Sequence, residues 1–384
     1  MIQMAIKTFV FAGGGTGGHI YPGLAVADEL RALAKEHSEE IKIIWLGNAS
    51  GMDRELVEKS GSVDAFFGIP SGKLRRNFSL KNFIDLFKIG AGVFVSLFRL
   101  MKIKPVVLFS KGGFVSVTPC IAAKILGIPV YTHECDFTPG LATKINSRFA
   151  TKILLSYEAT KNYLPVAKGN KALVTGNPVR PVFYEADAER GKNFLFGADR
   201  PSKPLLLVMG GSLGAHQINQ LVQENLDWLC EHFTVVHQTG RADEAMTRIQ
   251  HEGYHPYAFI YREMCDVIAA SDVVLSRAGA NSIWECAVLA KPMVLIPLCG
   301  SGTRGDQVDN ANYFVEQHAA ISLLGPEADG EHLRSALAKM EDPDYRKASS
   351  EACKKMTAEK RPAKEIAEIV YAASSSGSES GEEK

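Results

Sequence analysis

The chain has 384 residues, 46% hydrophobic and 22% charged, with a formal net charge of zero. That length is a soft prior for two domains, and the composition is that of an ordinary globular protein. A neutral chain carries no overall field to draw in nucleic acid; seven cysteines, an odd number without a CxxC pair, argue for a reducing cytosol and against a disulfide framework or cysteine zinc site, and no apolar run is long enough to cross a bilayer.

Met1–Val10 lacks the basic, apolar and small-residue order of a signal peptide and runs straight into a strand. Strand-like runs follow at Thr8–Ala12, Ile41–Leu46, Ala65–Ile69, Val106–Ser110, Val130–His133, Lys152–Ser156 and Ala172–Thr175, with helical patterns such as Leu24–Ala34 between them. Short apolar runs alternating with helices predict a parallel sheet covered on both faces. After a polar stretch, Arg190–Lys203, the pattern restarts with strands at Leu205–Met209, Thr234–Gln238, Phe259–Tyr261, Val273–Leu275, Met293–Ile296 and Ile321–Leu324. Two α/β units in tandem are expected. Between them, Gly176-Asn177-Pro178-Val179-Arg180-Pro181 carries two prolines that stop a helix and stiffen a plausible hinge. Residues 1–177 are read as the first domain and 178–373 as the second, with the last helix free to return to the first. Residues 374–384, almost all serine, glycine and glutamate, are expected to be disordered.

Each unit opens with a glycine loop between strand and helix. In Gly13-Gly14-Gly15-Thr16-Gly17-Gly18-His19, five of the first six residues are glycine, more than a tight turn requires. Such a loop brings backbone N–H groups and a helix N-terminus to an anion. It satisfies the dinucleotide spacing GxGxxG, but the second strand ends Trp45-Leu46-Gly47-Asn48 without the ribose carboxylate, and no Gly-Lys-Ser/Thr completes a Walker loop. The second loop is Gly210-Gly211-Ser212-Leu213-Gly214-Ala215, in which the Ser212 hydroxyl is a further phosphate donor. A third turn, Arg277-Ala278-Gly279-Ala280-Asn281-Ser282, leads to Glu285 on the same helix face. Spacing alone leaves Glu285 as either a ribose-binding carboxylate or an ordinary first-turn glutamate favoured by the helix dipole.

With Gly13–His19 followed by Tyr21-Pro22-Gly23, then Gly112-Gly113-Phe114, His133-Glu134, Gly176–Arg180, Gly210–Ala215, Arg277–Glu285 and Asp306-Gln307 with Asn310, the chain resembles the MurG family of bacterial peptidoglycan glycosyltransferases over roughly Lys7 to Ala373. The resemblance implies the GT-B fold: two Rossmann-like, doubly wound parallel-sheet domains facing a cleft. It implies transfer of GlcNAc from UDP-GlcNAc to the C4 hydroxyl of MurNAc in undecaprenyl-diphospho-MurNAc-pentapeptide, without a cofactor. The donor would lie mainly on the second domain, with Gly211, Ser212, Leu213 and Gly214 on its diphosphate, Glu285 on the ribose beside Gly279, Ala280 and Asn281, and the backbone near Tyr261 and Met264 on the uracil. Asp306 and Gln307 would take the sugar hydroxyls, and Arg180 would lie near the diphosphate or sugar. Thr16, Gly17, Gly18 and Asp136 would also touch the donor, while Gly14, Gly15, Gly112 and Gly113 cradle the acceptor's diphosphate. Two positions depart from the common pattern: Leu213 replaces a frequent glutamine, and His133-Glu134-Cys135-Asp136 replaces His-Glu-Gln-Asn. Asp136 accepts hydrogen bonds but cannot donate as an amide does.

The implied reaction inverts the anomeric centre and needs a base. His19 ends a phosphate loop and is the residue type that titrates near neutrality. It either takes the acceptor's proton or donates a hydrogen bond to phosphate, and Glu134 or Asp136 orients it or acts in its place. No metal constellation is visible: His133-Glu134 lacks the second histidine of HExxH, and the one DxD, Asp342-Pro343-Asp344, lies far from both loops in sequence. Lys73–Lys104 holds eight basic residues, including Lys73, Arg75 and Arg76, one acid, Asp85, and interleaved apolar residues including Phe83 and Phe87. It reads as a basic amphipathic surface for an anionic membrane, or as a packing helix with a solvated face. With the resemblance, the expected location is peripheral, on the cytoplasmic face of the inner membrane, with cell-wall synthesis proteins as further partners. The rival readings are another GT-B UDP-sugar transferase on a lipid or glycan, a sugar-nucleotide epimerase, and a non-catalytic sugar-nucleotide-binding subunit.

Overall fold

The computed structural model describes residues 6–72, 81–164, 169–211, 214–241, 243–300, 303–358 and 360–374. It divides into two compact units: residues 1–181 with 361–384, and residues 182–360.

The first unit runs β1 (Lys7–Gly13), α1 (Gly17–Glu36), β2 (Ile41–Asn48), α2 (Asp53–Ser60), β3 (Ala65–Ile69), α3 (Lys81–Ile103), β4 (Val107–Gly112), α4 (Val117–Ile125), β5 (Val130–Glu134), α5 (Leu141–Phe149), β6 (Lys152–Leu155) and β7 (Ala172–Val174). The strands form one sheet, β3-β2-β1-β4-β5-β6-β7, and every pairing is parallel. Strand residues alternate between faces. Phe9, Phe11, Val107 and Phe109 join a core with α1, whereas Val10, Ala12 and Leu108 join a second core with Leu100, Cys120 and Ala123 from α3 and α4. Both sheet faces are therefore buried, as the near-continuous apolar strands require.

The second unit runs α6 (Ala188–Phe196), β8 (Leu205–Met209), α7 (His216–Glu224), α8 (Leu226–His232), β9 (Thr234–Gln238), β10 (Tyr254–Tyr257), α9 (Met264–Ala270), β11 (Val273–Ser276), α10 (Ala280–Val288), β12 (Met293–Leu295), α11 (Asp306–Glu316), β13 (Ala320–Ser322), α12 (Gly330–Glu341) and α13 (Pro343–Thr357). Its parallel sheet has the order β10-β9-β8-β11-β12-β13. The final helix, α14 (Pro362–Ala373), belongs to the first unit. Ile366, Ala367 and Val370, at helical spacing, enter the core formed by Phe9, Leu30 and Trp45.

One local expectation is corrected. The strand expected at Phe259–Tyr261 lies instead at Tyr254–Tyr257. It contains Pro256, which a central strand would reject, but β10 is an edge strand paired only with β9. Helix α1 begins at Gly17 and carries Pro22 inside it.

Candidate active site

In both sheets strand order reverses between the unit's first strand and the strand that pairs on its other side, β1/β4 and β8/β11. Loops leaving the carboxyl ends of strands at such a reversal flank a crevice, the usual ligand position in open α/β sheets. Gly13–His19 follows β1 and Gly112–Phe114 follows β4. Gly210–Ala215 follows β8 and Arg277–Glu285 follows β11. The four glycine-bearing turns singled out in the sequence thus fall in pairs at the two reversal points.

In the first unit the paired turns interlock. A Cβ on Gly113 (φ 73) would sit 2.5 Å from the Gly14 carbonyl oxygen and 2.8 Å from Cδ2 of His19, and one on Gly15 (φ 86) would sit 2.5 Å from Phe114 Cε1. These glycines are required by close approach as much as by their positive φ. The Gly113 carbonyl accepts from Ser116 Oγ at 2.9 Å, and Ser116 in turn accepts from Asn146 Nδ2 at 2.8 Å. His19, half-buried, donates its backbone N–H to Thr16 O at 3.1 Å and lays its imidazole on the Gly112–Gly113 backbone. Thr16 and Gly18 are exposed, and Gly17 is half-buried.

Asp53 carries no local sequence signal, because the Gly15 backbone it serves lies 38 residues away. Its carboxylate is 1% exposed and accepts from Gly15 N at 2.9 and 3.1 Å and from Asn48 N at 2.8 Å. Trp45 Nε1 donates to Gly13 O at 3.0 Å. The first loop is therefore held by side chains from β2 and α2, and the Gly15 N–H already has an internal acceptor. The absent ribose carboxylate after β2 has a structural counterpart five residues on, turned to the loop's own backbone.

Glu134, at the end of β5, is 4% exposed. Its Oε1 accepts from Cys135 N at 2.9 Å and Asp136 N at 3.1 Å, and its Oε2 accepts from Gly140 N at 3.0 Å. It anchors the turn that carries Asp136. Among the described residues Glu134, Cys135 and Asp136 bring ligand-type atoms within 4.8 Å of one another, but three N–H donors already engage the Glu134 oxygens. Asp342 of the DxD accepts from Asp344 N at 2.9 Å and caps α13. Beside Glu134, His133 Nε2 meets Gly176 O at 3.0 Å, and burial pushes the His133 imidazole well below its ordinary pKa, helped by the Lys111 charge and opposed by the Gly176 bond. Arg180 packs its guanidinium 5.1 Å from the Tyr21 ring centroid, against α1.

In the second unit Gly211 (φ 87) is exposed, and Gly214 (φ 84) packs so closely that a Cβ would sit 2.3 Å from Thr239 O. Ser212 and Leu213 lie outside the described residues. Gly279 caps α10, whose first residues are Ala280 and Asn281; Asn281, Ser282 and Glu285 are half-buried on one side while Ile283, Trp284, Cys286 and Ala287 are buried on the other. Tyr261 is exposed beyond β10, and Met264 opens α9. Asp306 and Gln307 open α11: Asp306 pairs with Arg304 at 3.1 Å, and Gln307 Oε1 accepts from Leu298 N at 2.9 Å. Arg277 Nη1 donates to Gln217 Oε1 and to Ile296 O, both at 2.9 Å, tying the first turn of α7 to the segment after β12. All these residues leave the carboxyl end of the second sheet.

Sequence family models match both halves of the chain: the glycosyltransferase family 28 N-terminal domain over residues 9–155 and its C-terminal domain over residues 205–368. The chain belongs to glycosyltransferase family 28. A Treponema denticola relative, the UDP-N-acetylglucosamine–N-acetylmuramyl-(pentapeptide) pyrophosphoryl-undecaprenol N-acetylglucosamine transferase, is 51% identical over 337 residues, 83% of this chain and 84% of the relative. A Bacillus cereus protein of the same name, numbered 2, is 42% identical over 318 residues, 83% of this chain and 87% of its own. The crystal structure of Acinetobacter baumannii MurG aligns with a TM-score of 0.71 at 23% identity, covering 96% of this chain and all of that one. The fold is GT-B, as expected from the motifs.

Behind the second glycine loop of this family 28 chain lies a buried polar network that no local motif marks. His237 Nε2 meets Asn219 Oδ1 at 3.1 Å and Nδ1 meets Tyr254 Oη at 2.9 Å. Asn219 Nδ2 donates to Thr239 O at 2.9 Å and Asp243 Oδ2 at 3.0 Å. With both amide hydrogens directed there, Asn219 Oδ1 takes the Nε2–H of a neutral imidazole, and Tyr254 donates to Nδ1. Burial lowers the His237 pKa from 6.5 to about 4. Between those values the unfolded chain binds a proton that the folded chain refuses. His237 thus lowers stability as pH falls from about 6.5 to about 4, by about 3 kcal/mol in all, with no effect above that window. Melting curves of wild type and His237→Gln across pH 4 to 8 check this: the variant should show a shallower acid loss, and parallel curves would dismiss the assignment.

Helix α3 exposes a stripe of large apolar side chains, Phe87 at 80%, Phe94 at 74%, Phe98 at 52% and Met101 at 52%, spaced along one face. Lys88 lies beside it, 4.0 Å from Asp85, and Lys102 stands over the Phe98 ring. Lys73, Arg75, Arg76 and the side chain of Phe83 lie outside the described residues. Among the described residues no helix is long and apolar enough to cross a membrane.

Proposed function

We infer that this chain is an inverting hexosyltransferase that moves GlcNAc from UDP-GlcNAc to the C4 hydroxyl of MurNAc in undecaprenyl-diphospho-MurNAc-pentapeptide. The observation that carries the reading is 51% identity, across 83% of this chain and 84% of the relative, to a protein named for that transfer. A phosphate-type loop at the strand reversal of each domain supports it, because donor and acceptor each bring a diphosphate.

In this reading the second domain holds the donor. The Gly210–Ala215 amides, with Ser212, take the UDP diphosphate; Glu285 takes the ribose hydroxyls; the backbone near Tyr261 takes uracil, beside Met264. Gln307 has its oxygen on Leu298 N, so its amide N–H groups face the sugar, and Asp306 accepts a hydroxyl beside it. The first domain holds the acceptor's diphosphate at Gly14, Gly112 and Gly113, with Gly15, its N–H on Asp53, fixing the turn. His19 removes the proton from the C4 hydroxyl as that oxygen bonds the anomeric carbon. The bond from the anomeric carbon to the diphosphate oxygen breaks, and UDP leaves with the electron pair, stabilised by the loop amides and the following helix. Inversion follows from the single displacement. The decisive test is transfer of labelled GlcNAc from UDP-GlcNAc to a lipid-linked MurNAc-pentapeptide acceptor; turnover is expected, and binding of UDP-GlcNAc without transfer to this acceptor would reject the reading.

The α3 stripe with its lysines is assigned to an anionic membrane surface, which would place the protein on the cytoplasmic face of the membrane that carries its acceptor. Apolar insertion and cationic attraction act together at such a surface, each basic residue contributing about 1 kcal/mol near it. Replacing Phe87, Phe94 and Phe98 with serine, or removing the charges of Lys73, Arg75, Arg76 and Lys81, should weaken binding to anionic vesicles at least about tenfold while transfer to a detergent-soluble acceptor persists. Unchanged vesicle binding by both sets would remove the membrane assignment.

A further inference from the structure

Lys111, the penultimate residue of β4, is 1% exposed; its Nζ meets no oxygen or nitrogen acceptor among the described residues and reaches the neutral Cys135 thiol, which supplies no counter-charge. Lysine is almost never this buried unless paired, because an uncompensated ammonium in the interior costs several kcal/mol. Its stem is accommodated by two absent side chains. The Lys111 Cβ lies 3.3 Å from where a Cβ on Gly13 would be and 3.6 Å from one on Gly23. The charge is directed to the end of β5: it helps hold His133 neutral and partly offsets the burial that pushes the Cys135 thiol up to about 12. His133 Nδ1 is buried without a partner among the described residues. The nearby carboxylates do not neutralise Lys111. Of the two at this strand end, Glu134 accepts from three backbone N–H groups and Asp136 is half-buried, and among the described residues no ion pair reaches Lys111. The next two residues are Gly112 and Gly113, packed against Gly14 and His19.

We propose that Lys111 is a fixed counter-charge for the diphosphate of the acceptor, an anion that completes the buried ammonium beneath the two interlocked glycine turns of the first domain. The proposal rests on the acceptor assignment above and adds to it a positioning residue outside the glycine motifs. Bound diphosphate gains from a cation held in a low-dielectric site, where charge interactions are screened less than in water.

Lys111→Met keeps the stem and removes the charge. Three readouts separate the outcomes. First, the ligand-free variant should melt no lower than wild type, since it loses an unpaired buried charge. Second, the KM for the lipid-linked acceptor should rise about tenfold or more while the KM for UDP-GlcNAc stays within about twofold. Third, with the donor site saturated by UDP, inorganic pyrophosphate should stabilise wild type against heat and stabilise the variant less. An unchanged acceptor KM together with equal pyrophosphate stabilisation would overturn the proposal, as would a drop in melting temperature with donor and acceptor constants impaired alike. If wild type fails to use the acceptor at all, the acceptor assignment fails, and the pyrophosphate comparison still decides whether Lys111 serves an anion.

Discussion

His19→Ala is expected to lower kcat by about 10²- to 10⁴-fold, the range for losing a general base, with UDP-GlcNAc affinity within about twofold of wild type. His19 lies between the two interlocked turns of the first domain, its imidazole on the Gly112–Gly113 backbone and its own N–H on Thr16 O. A side chain on Gly113 would collide with it, so the ring's place is set by backbone. The acid limb of the kcat/KM profile should vanish in the variant, since the base is then absent. A histidine that only donated a hydrogen bond to phosphate would behave differently: His19→Asn would restore most activity, and the loss in His19→Ala would fall on acceptor KM. Turnover near wild type with intact donor binding would exclude His19 as the base.

Glu134→Gln should show the second-largest effect, through structure rather than proton transfer. The glutamate's two oxygens accept three backbone N–H groups, from Cys135, Asp136 and Gly140. A glutamine oxygen can keep the first two, but its amide then faces the Gly140 N–H, donor against donor. One buried donor left unmade costs about 2 kcal/mol. The turn holding Asp136 loosens, and turnover should fall about tenfold or more as the reacting groups lose alignment. The melting temperature should drop and the shape of the pH profile should persist. If the variant instead melted like wild type and lost one limb of its pH profile, Glu134 would be the base and His19 its partner.

Both glycine loops, most strands and the tandem α/β arrangement were legible because they are local signals. A short apolar run of four to eight residues bounded by glycine- or proline-bearing turns identifies a strand of an α/β sheet, and Ala65–Ile69, Leu205–Met209 and Thr234–Gln238 fall where that pattern puts them. The pattern failed at β10, where an edge position tolerates a proline that local reasoning treats as a breaker. The turns Gly13–His19 and Arg277–Glu285 could likewise be located from their own residues.

Local sequence therefore locates the glycine turns between strand and helix and the residue types that accompany them. It could not determine that the turns meet in pairs, because that depends on strand order, with β4 and β11 placed beside β1 and β8 after long excursions. Nor could it reveal that Asp53 locks Gly15 from 38 residues away, or that Lys111 is buried against Gly13 and Gly23 without a counter-charge among the described residues. The return of α14 to the first domain's core belongs to the same class. Each is a non-local contact fixed by which strands pair and which helix covers them, and an amphipathic helix or a lone lysine reads the same in sequence whichever surface it meets.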